Sequence, residues 1–229
     1  MKQPARAPQY QYCILMMSII VTMSKPLIKA VLFDYGGVIA EEGFRDGLVA
    51  MADEQGLDAD ATLEVAKHAV YDTGFVLGWG TENEFWEYMR KGAGLTGSDP
   101  VLTERILEGF VLRPWIIELV RQLRGQGFIT AILSDQMHWL DELNERDHFF
   151  EYFDHVFNSY HLGKGKRHPG LFVDIGKRLA LAPAEILFVD DIENNVRRAR
   201  AAGWQAIHYV DKARFLQQFD ALVYPAKKG

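Results

Sequence analysis

The stretch VLFDYGGVI, at residues 31–39, is an apolar run that ends on a carboxylate, Asp34, and continues into two glycines. An uninterrupted apolar run of this kind is typical of a strand that is buried on both faces of a parallel sheet. A charge at the end of a buried strand is costly unless something binds it. The stretch therefore predicts a buried strand and a binding role for Asp34.

Four later runs rich in Val, Ile and Phe also have the character of strands. The five predicted strands cover residues 28–34, 127–134, 155–159, 185–190 and 204–210. Helical stretches such as PWIIELVRQLRGQ and IENNVRRARAAG alternate with the later strands. This order predicts an α/β fold, with a Rossmann-like parallel sheet that carries helices on both faces. In such sheets, ligands bind outside the carboxyl ends of the strands.

The interval at residues 41–112 interrupts this alternation, because it contains helical patterns and no convincing strand. One helix is expected to begin at Thr81, with Glu84 at the spacing of a capping box. The interval has 15 acidic and 5 basic residues, a net charge of −10, whereas the whole chain has −6. We therefore expect an acidic helical-bundle cap at residues 41–112, inserted into an α/β core formed by residues 28–40 and 113–229.

Residues 1–27 are expected to be an extension outside this fold. Their apolar run is too short to span a bilayer, and no small-residue cleavage site of a signal peptide follows it. The segment MSKPLIKAVLFDY is a compact beginning for the first strand. Met23 is therefore the expected start of the native protein, with a signal peptide as the alternative.

Composition limits the class of partner. The negative net charge argues against a general nucleic-acid binder, which would carry a basic face. Cys13 is the only cysteine, so an internal disulfide is impossible and a reducing compartment fits. We expect a cytoplasmic protein, a monomer or a homodimer, with neither nucleic-acid nor membrane partners.

Polar side chains end three of the predicted strands: Asp34 the first, Ser134 the second, and Asp190 with Asp191 the fourth. The loop at residues 159–170, which precedes the fourth strand, contains two lysines. Carboxylates placed this close repel one another unless a divalent cation lies between them. Mg²⁺ is the best candidate, because it takes oxygen ligands and bridges carboxylates to phosphates. A cation, a lysine and a hydroxyl together can hold a phosphoryl group.

Four motifs, LFDYGGVI, AILSD, GKGKRHPGLF and LFVDDIENNVRRARAAGW, resemble in this order the motifs of the haloacid dehalogenase superfamily. The resemblance covers most of residues 28–210 and points to the branch with a helical cap inserted after the first strand. Each motif alone is weak, but the ordered set with the helical insert is specific. The resemblance implies a Mg²⁺-dependent phosphatase of a small phosphorylated metabolite that forms an aspartyl-phosphate.

The resemblance also implies a role for each catalytic position. Asp34 matches the nucleophile that attacks phosphorus. Ser134 and Asp135 match the motif that binds the transferring phosphoryl group, with the Ser134 hydroxyl as a donor. Lys166 would neutralise charge on the nucleophile and on the phosphoryl group; the neighbouring Lys164 is the alternative lysine.

The metal ligands implied by the resemblance are Asp34, the backbone carbonyl of Gly36, Asp190 and Asp191, the last directly or through water. Asn195, on the first turn of the following helix, would orient these acids. Four basic residues of the predicted cap are candidates to bind a second anionic group of the substrate, namely Arg45, Lys67, Arg90 and Lys91.

Gly36 departs from the pattern, because the phosphatases of the superfamily usually have a second aspartate at this position. That aspartate acts as a general acid and base, a role worth about 10²–10⁴-fold in rate. Three explanations stay open. Glu41, Glu42 or His161 supplies the proton, or the substrate has a good leaving group, or the protein binds phosphorylated ligands and turns them over poorly.

Two rival classes stay open as well. A 2-haloacid dehalogenase also uses a strand-end aspartate and lacks the second one, but it needs no metal, and the acid pair Asp190 and Asp191 argues against it. A phospho-accepting receiver domain combines similar groups, but in a different order and without a helical insert. We rank a slow or specialised phosphatase first.

Overall fold

The computed structural model describes residues 28–224, and the predicted extension with the expected start at Met23 lies outside them. Within the described residues, five parallel strands form one sheet in the order β3-β2-β1-β4-β5. The strands are β1 (Ala30–Phe33), β2 (Ile129–Ser134), β3 (His155–Asn158), β4 (Ile186–Asp190) and β5 (Gln205–His208). They lie inside the five predicted runs, and the predicted α/β class is confirmed.

The first strand lies in the middle of the sheet, paired on both sides. Phe33 is in register with Ile132 on one neighbour and with Val189 on the other. The strands β1, β2 and β4 therefore reach the carboxyl edge of the sheet side by side. Asp34 follows β1 there, and Ser134 and Asp190 end β2 and β4.

Four helices lie in the chain between β1 and the next core helix. They are α1 (Gly43–Glu54), α2 (Ala59–Asp72), α3 (Glu82–Ala93) and α4 (Asp99–Glu108), with a short 3₁₀ helix at Phe75–Leu77. The capping box expected at Thr81 is present, since Glu84 donates its backbone N–H to the threonine hydroxyl and accepts from the backbone N–H of Thr81. The limits of the cap at residues 41–112 remain a prediction.

Six helices follow in the core: α5 (Pro114–Gly125), α6 (Trp139–Asp147), α7 (Ser159–Leu162), α8 (Leu171–Leu179), α9 (Glu193–Ala201) and α10 (Lys212–Val223). Alternate residues of β1 point to opposite faces of the sheet. Val31 and Phe33 belong to one buried cluster, with residues of α5 and α10. Leu32 belongs to a second cluster, with residues of α8 and α9. Helices thus cover both faces, and in the described part of the chain none is long and apolar enough to cross a bilayer.

The two chain segments that connect the helical insert to the core pair with each other. Ala40 forms an antiparallel bridge with Leu112. Glu41 N–H donates to the carbonyl of Val111 at 2.9 Å, and Arg113 N–H donates to the carbonyl of Ile39 at 2.8 Å. We call these paired segments, residues 39–41 and 111–113, the joint.

An aromatic cluster packs the insert onto the core. Phe75, Phe85 and Trp86 surround Trp139 of α6, with ring centroids 5.6, 5.9 and 6.0 Å from that indole. All four side chains are almost fully buried. Burial of large rings contributes much of the packing free energy of such an interface, so the insert and the core stabilise each other.

Candidate active site

Asp34 lies directly after β1, at the carboxyl edge of the sheet, with 8% of its surface exposed. Tyr35 donates its backbone N–H to Asp34 Oδ1 at 2.8 Å. The other oxygen, Oδ2, lies 2.7 Å from Lys166 Nζ. These two contacts fix the orientation of the carboxylate at the bottom of a cavity.

Lys166 is 1% exposed and lies between two carboxylates, since its Nζ is 2.7 Å from Oδ2 of Asp34 and 2.7 Å from Oδ2 of Asp190. Burial opposes its charge, but the carboxylates of Asp190 and Asp34 outweigh burial and raise the pKa of the lysine. Lys166 is therefore an ammonium ion at neutral pH. Lys164, the alternative lysine, forms an ion pair with Asp174 and does not line the cavity.

Three carboxylates gather beside this lysine. Oxygen atoms of Asp34, Asp190 and Asp191 all lie within 4.8 Å of one another. Burial, reinforced by the neighbouring carboxylates, raises the pKa of Asp34 and of Asp191, although Lys166 opposes this. Asn195 Nδ2 lies 3.2 Å from both oxygens of Asp190 and so orients that side chain.

This group of acids fits a hard divalent cation. Three carboxylates around one ammonium ion leave an excess of negative charge, and every acidic donor is an oxygen, as Mg²⁺ prefers. Gly37 leaves space for one of them, because a Cβ at this position would lie 2.3 Å from Asp191 Oδ2. The carbonyl of Gly36, the remaining predicted ligand, belongs to the same turn.

The residues predicted to bind a phosphoryl group, Ser134 and Asp135, lie at the end of β2. Ser134 is 3% exposed and lines the cavity with Asp34 and Lys166. The carboxylate of Asp135 accepts the backbone N–H of Lys166, at 2.8 Å to Oδ1, and the hydroxyl of Tyr71 at 3.2 Å. The Asp135 side chain therefore holds the lysine loop and connects it to α2 of the insert.

The cavity has a volume of about 420 Å³ and lies between the carboxyl edge of the sheet and the insert. Apolar side chains form much of its wall, namely Phe44, Val70, Val76, Phe110 and Met137. Besides Lys166, three basic side chains line it: Lys67, Arg167 and Arg198. The cavity thus combines a charged floor with an apolar wall and cationic groups, a composition suited to an anionic ligand with an organic part.

Some of these residues were not predicted from the sequence. Arg198 donates to Asn195 Oδ1 at 2.9 Å, and a helical spacing of three residues could have placed both on one face of α9. The guanidinium of Arg167 stacks 3.9 Å from the ring centroid of Tyr71, and no sequence signal indicates that contact. Among the four cap cations considered, Lys67 lines the cavity. The other three pair with acids and do not line it, namely Arg45, Arg90 and Lys91.

The fold and this site define a hydrolase of the haloacid dehalogenase type. A family model described as haloacid dehalogenase-like hydrolase matches residues 28–203. The chain belongs to this family.

Comparison with individual proteins gives matches to phosphatases and to dehalogenases. The chain is 29% identical to sesquiterpene phosphatase astK of Aspergillus oryzae over 167 residues, which cover 64% of this chain and 83% of that protein.

Two solved structures share the fold. One is a haloacid dehalogenase family enzyme of Bacteroides thetaiotaomicron in complex with magnesium and inorganic phosphate, with a TM-score of 0.58 and 22% identity over 81% of this chain and 95% of that one. The other is L-2-haloacid dehalogenase of Xanthobacter autotrophicus with chloropropionic acid covalently bound, with a TM-score of 0.58 and 18% identity over 89% and 85%.

Proposed function

We propose that this hydrolase is a Mg²⁺-dependent phosphatase of a small phosphorylated metabolite that works through an aspartyl-phosphate on Asp34. The observation that carries the proposal is the position of the Asp34 carboxylate. It is held by the N–H of Tyr35 and by Lys166 Nζ at the floor of a cavity that Ser134 also lines. A buried carboxylate held this way is a preorganised nucleophile.

The first step is attack of an Asp34 oxygen on phosphorus, with cleavage of the bond to the leaving-group oxygen. The Ser134 hydroxyl donates to a phosphoryl oxygen, and the Lys166 ammonium stabilises negative charge on the same group. Water then attacks the aspartyl-phosphate, which releases inorganic phosphate and restores Asp34. Most of the catalysis is positioning and charge stabilisation, as in other phosphoryl transfers.

Asp34, Asp190, Asp191 and the carbonyl of Gly36 would hold the Mg²⁺ ion. When bound, the ion supplies positive charge to the phosphoryl oxygens and relieves the repulsion among the carboxylates. The close approach of the three acids supports this assignment. A cytoplasmic location and a monomeric or homodimeric state remain predictions from the sequence.

The relatives give this proposal additional support. The A. oryzae relative is a phosphatase, and the B. thetaiotaomicron enzyme of the same fold binds magnesium and phosphate. An apolar wall opposite the charged floor suits a substrate whose phosphate is attached to an apolar organic group. A dehalogenase remains the second candidate. This chain has Gly36 where the phosphatases of the superfamily have a second aspartate, and 2-haloacid dehalogenases also lack that aspartate.

The test is hydrolysis of a panel of phosphorylated metabolites, with p-nitrophenyl phosphate and acetyl phosphate, in Mg²⁺ or in EDTA. Asp34→Asn keeps an acceptor for the N–H of Tyr35 but removes the nucleophile, so phosphate release should fall by at least about 10³-fold. The matched control is Asp46→Asn, which makes the same change at an exposed carboxylate on α1 and should leave the rate unchanged.

Phosphate release that continues at the native rate in EDTA, or in Asp34→Asn, would contradict the proposal. Hydrolysis of 2-chloropropionate in EDTA that depends on Asp34 would favour the dehalogenase instead.

A further inference from the structure

The position two residues after the proposed nucleophile is a glycine, so any general acid and base of the reaction comes from another residue. We infer that Glu42 performs this role: its carboxyl group donates a proton to the leaving-group oxygen and later accepts one from the attacking water. This inference rests on the proposed phosphatase function.

The carboxylate of Glu42 occupies the space that a side chain at position 36 would enter. A Cβ built on Gly36 would lie 3.0 Å from Glu42 Oε2 and 3.8 Å from Glu42 Cδ. Glu42 also lines the cavity that contains Asp34 and Ser134. Glu42 therefore brings a carboxylate to the side of position 36 from a different point in the chain.

The local fold explains how Glu42 reaches this place. Gly36 forms a parallel bridge with Ala40, so the chain makes one tight loop directly after the nucleophile. Glu42 then caps α1, since its Oε1 accepts the N–H of Arg45 at 3.2 Å. One oxygen is fixed by the helix, and the other, Oε2, lies beside Gly36. Phe110 lies 3.3 Å from the same Cβ position and closes the apolar side of this contact.

The other two candidates are engaged away from the cavity. Glu41 forms an ion pair with Arg113, with Oε2 2.6 Å from the guanidinium, and its side chain is 56% exposed. His161 Nε2 lies 2.7 Å from Asp141 Oδ2, and its side chain is 57% exposed. Neither residue lines the cavity, whereas Glu42 does.

The chemistry balances over the two steps. As Asp34 forms its bond to phosphorus, the bond to the leaving oxygen breaks, and the proton of Glu42 moves to that oxygen to give the free alcohol. The Glu42 carboxylate then takes a proton from water while the water oxygen attacks phosphorus. The bond between phosphorus and Asp34 breaks, phosphate leaves, and Glu42 is protonated again.

The test is Glu42→Gln in full-length protein with saturating Mg²⁺ at a single pH, with two substrates that differ in leaving group. An alkyl phosphate needs a proton on its leaving oxygen, so its kcat/KM should fall by about 10²–10⁴-fold. The leaving group of p-nitrophenyl phosphate is a stable phenolate that needs no proton, so kcat/KM for this substrate should fall by less than about tenfold. Because the variant cannot activate water, its aspartyl-phosphate should accumulate, visible as an added phosphate in the intact mass.

Three further variants, Glu41→Gln, Glu42→Ala and Gly36→Asp/Glu42→Ala, separate this role from a structural one. Glu41→Gln makes the same change one residue away and should leave both substrates unaffected. Glu42→Gln retains the oxygen that caps α1, so its melting temperature should match that of the native protein. In Gly36→Asp/Glu42→Ala, the carboxylate moves to position 36 and the removal of Glu42 makes room for it, so alkyl phosphate hydrolysis should recover at least tenfold relative to Glu42→Ala.

The outcomes distinguish this inference from the function on which it rests. If Glu42→Gln hydrolyses the alkyl phosphate at the native rate while Asp34→Asn is inactive, the phosphatase stands and the role of Glu42 is wrong. If the native protein releases no phosphate in an Asp34-dependent way from either substrate, the proposed function fails, and the role of Glu42 fails with it.

Discussion

Gly37 meets two requirements, one from the backbone and one from the acids. Its φ of +75° lies in the left-handed region, which glycine adopts without steric cost. Its missing side chain also leaves room for Asp191, whose Oδ2 would lie 2.3 Å from a Cβ at this position. Either requirement alone would favour glycine. Together they mean that the shape of the turn after Asp34 and the position of the Asp191 carboxylate depend on the same residue.

Gly37→Ala should therefore weaken the binding of Mg²⁺, because Asp191 must move to avoid the added methyl group. We expect the Mg²⁺ concentration for half-maximal hydrolysis to rise by about 10–100-fold, the usual effect of disturbing the groups that support a metal site. A titration of hydrolysis rate against Mg²⁺ measures this shift.

Gly56→Ala is the control for backbone strain. Gly56 also has a left-handed φ, +68°, but a Cβ there would meet nothing within 4 Å. Both variants strain the backbone, and only Gly37→Ala disturbs an acid. An equal Mg²⁺ requirement in the two variants would contradict this account of Gly37.

For individual residues, the sequence predicts part of the site. Asp34, Ser134 and Asp190 could be proposed as neighbours, because parallel strands bring their carboxyl ends to one edge of the sheet. The sequence does not decide whether Glu41 or Glu42 approaches Gly36, because the direction in which the chain turns at the joint determines which of the two side chains faces that glycine. That direction depends on contacts between residues about 70 positions apart, such as Ala40 with Leu112.

Helix α3 of the insert and helix α6 of the core are connected through a histidine. His138 Nε2 lies 3.5 Å from Glu82 Oε2 on α3 and 3.0 Å from Glu142 Oε1 on α6. The hydrogen bond to Glu82 raises the pKa of His138 above its usual 6.5, with further help from Glu142 and Asp141 and against partial burial. The contact between these two elements therefore depends on pH.

The direction of this dependence follows from the raised pKa in the folded state. The stabilisation from protonated His138 is fully present below the pKa of about 6.5 that this histidine has in the unfolded chain. It is lost as the pH rises through the higher pKa of His138 in the folded state. The pairs are partly exposed, so the free energy of unfolding should fall by less than about 1 kcal/mol over this range. Urea unfolding between pH 6 and pH 9 measures the change.

His138→Gln should remove this part of the pH dependence. His68→Gln is the matched control, because His68 faces Glu64 at 3.6 Å on α2 with 63% of its side chain exposed, away from the core. If the two variants lose the same pH dependence, the contact between α3 and α6 is not its source.

The elements differ in how well they could be predicted. The five strands are continuous apolar runs and were located to within a few residues. Helix α3 carried a capping box at Thr81 and Glu84 that set its start. The 3₁₀ helix at Phe75–Leu77 has no such signal, since its position is set by packing of Phe75 against Trp139 in a distant part of the chain.

Within residues 28–224, the insert and the core share one packed interior. One buried cluster runs from β1 through Tyr35 and Phe110 to Phe85 and Trp86 of the insert. Residues that share one packed interior lose their contacts together. We therefore expect the described insert and core to unfold as one cooperative unit.

Phe85→Ala tests this continuity, because Phe85 belongs to the insert and packs on Trp139 of the core. Removing a buried ring should destabilise the whole protein by about 3–5 kcal/mol. The urea midpoints from far-UV circular dichroism and from tryptophan fluorescence should shift together. Val101→Ala, at a residue of the insert that is 55% exposed, should leave both midpoints nearly unchanged. Separate transitions in the variant would show that the insert unfolds on its own.

The joint has a consequence for how such a protein can be altered. Its two segments run side by side, so the chain leaves the core and re-enters it at almost the same point. Arg113 secures this point, since its guanidinium contacts the carbonyls of Gly37 and Val38 and the carboxylate of Glu41. Termini that lie this close can accept a spliced segment at little cost in loop-closure entropy. A foreign helical segment grafted at the joint would leave the strand order and the nucleophile in place, provided that it kept Glu42 and supplied apolar side chains to cover Trp139.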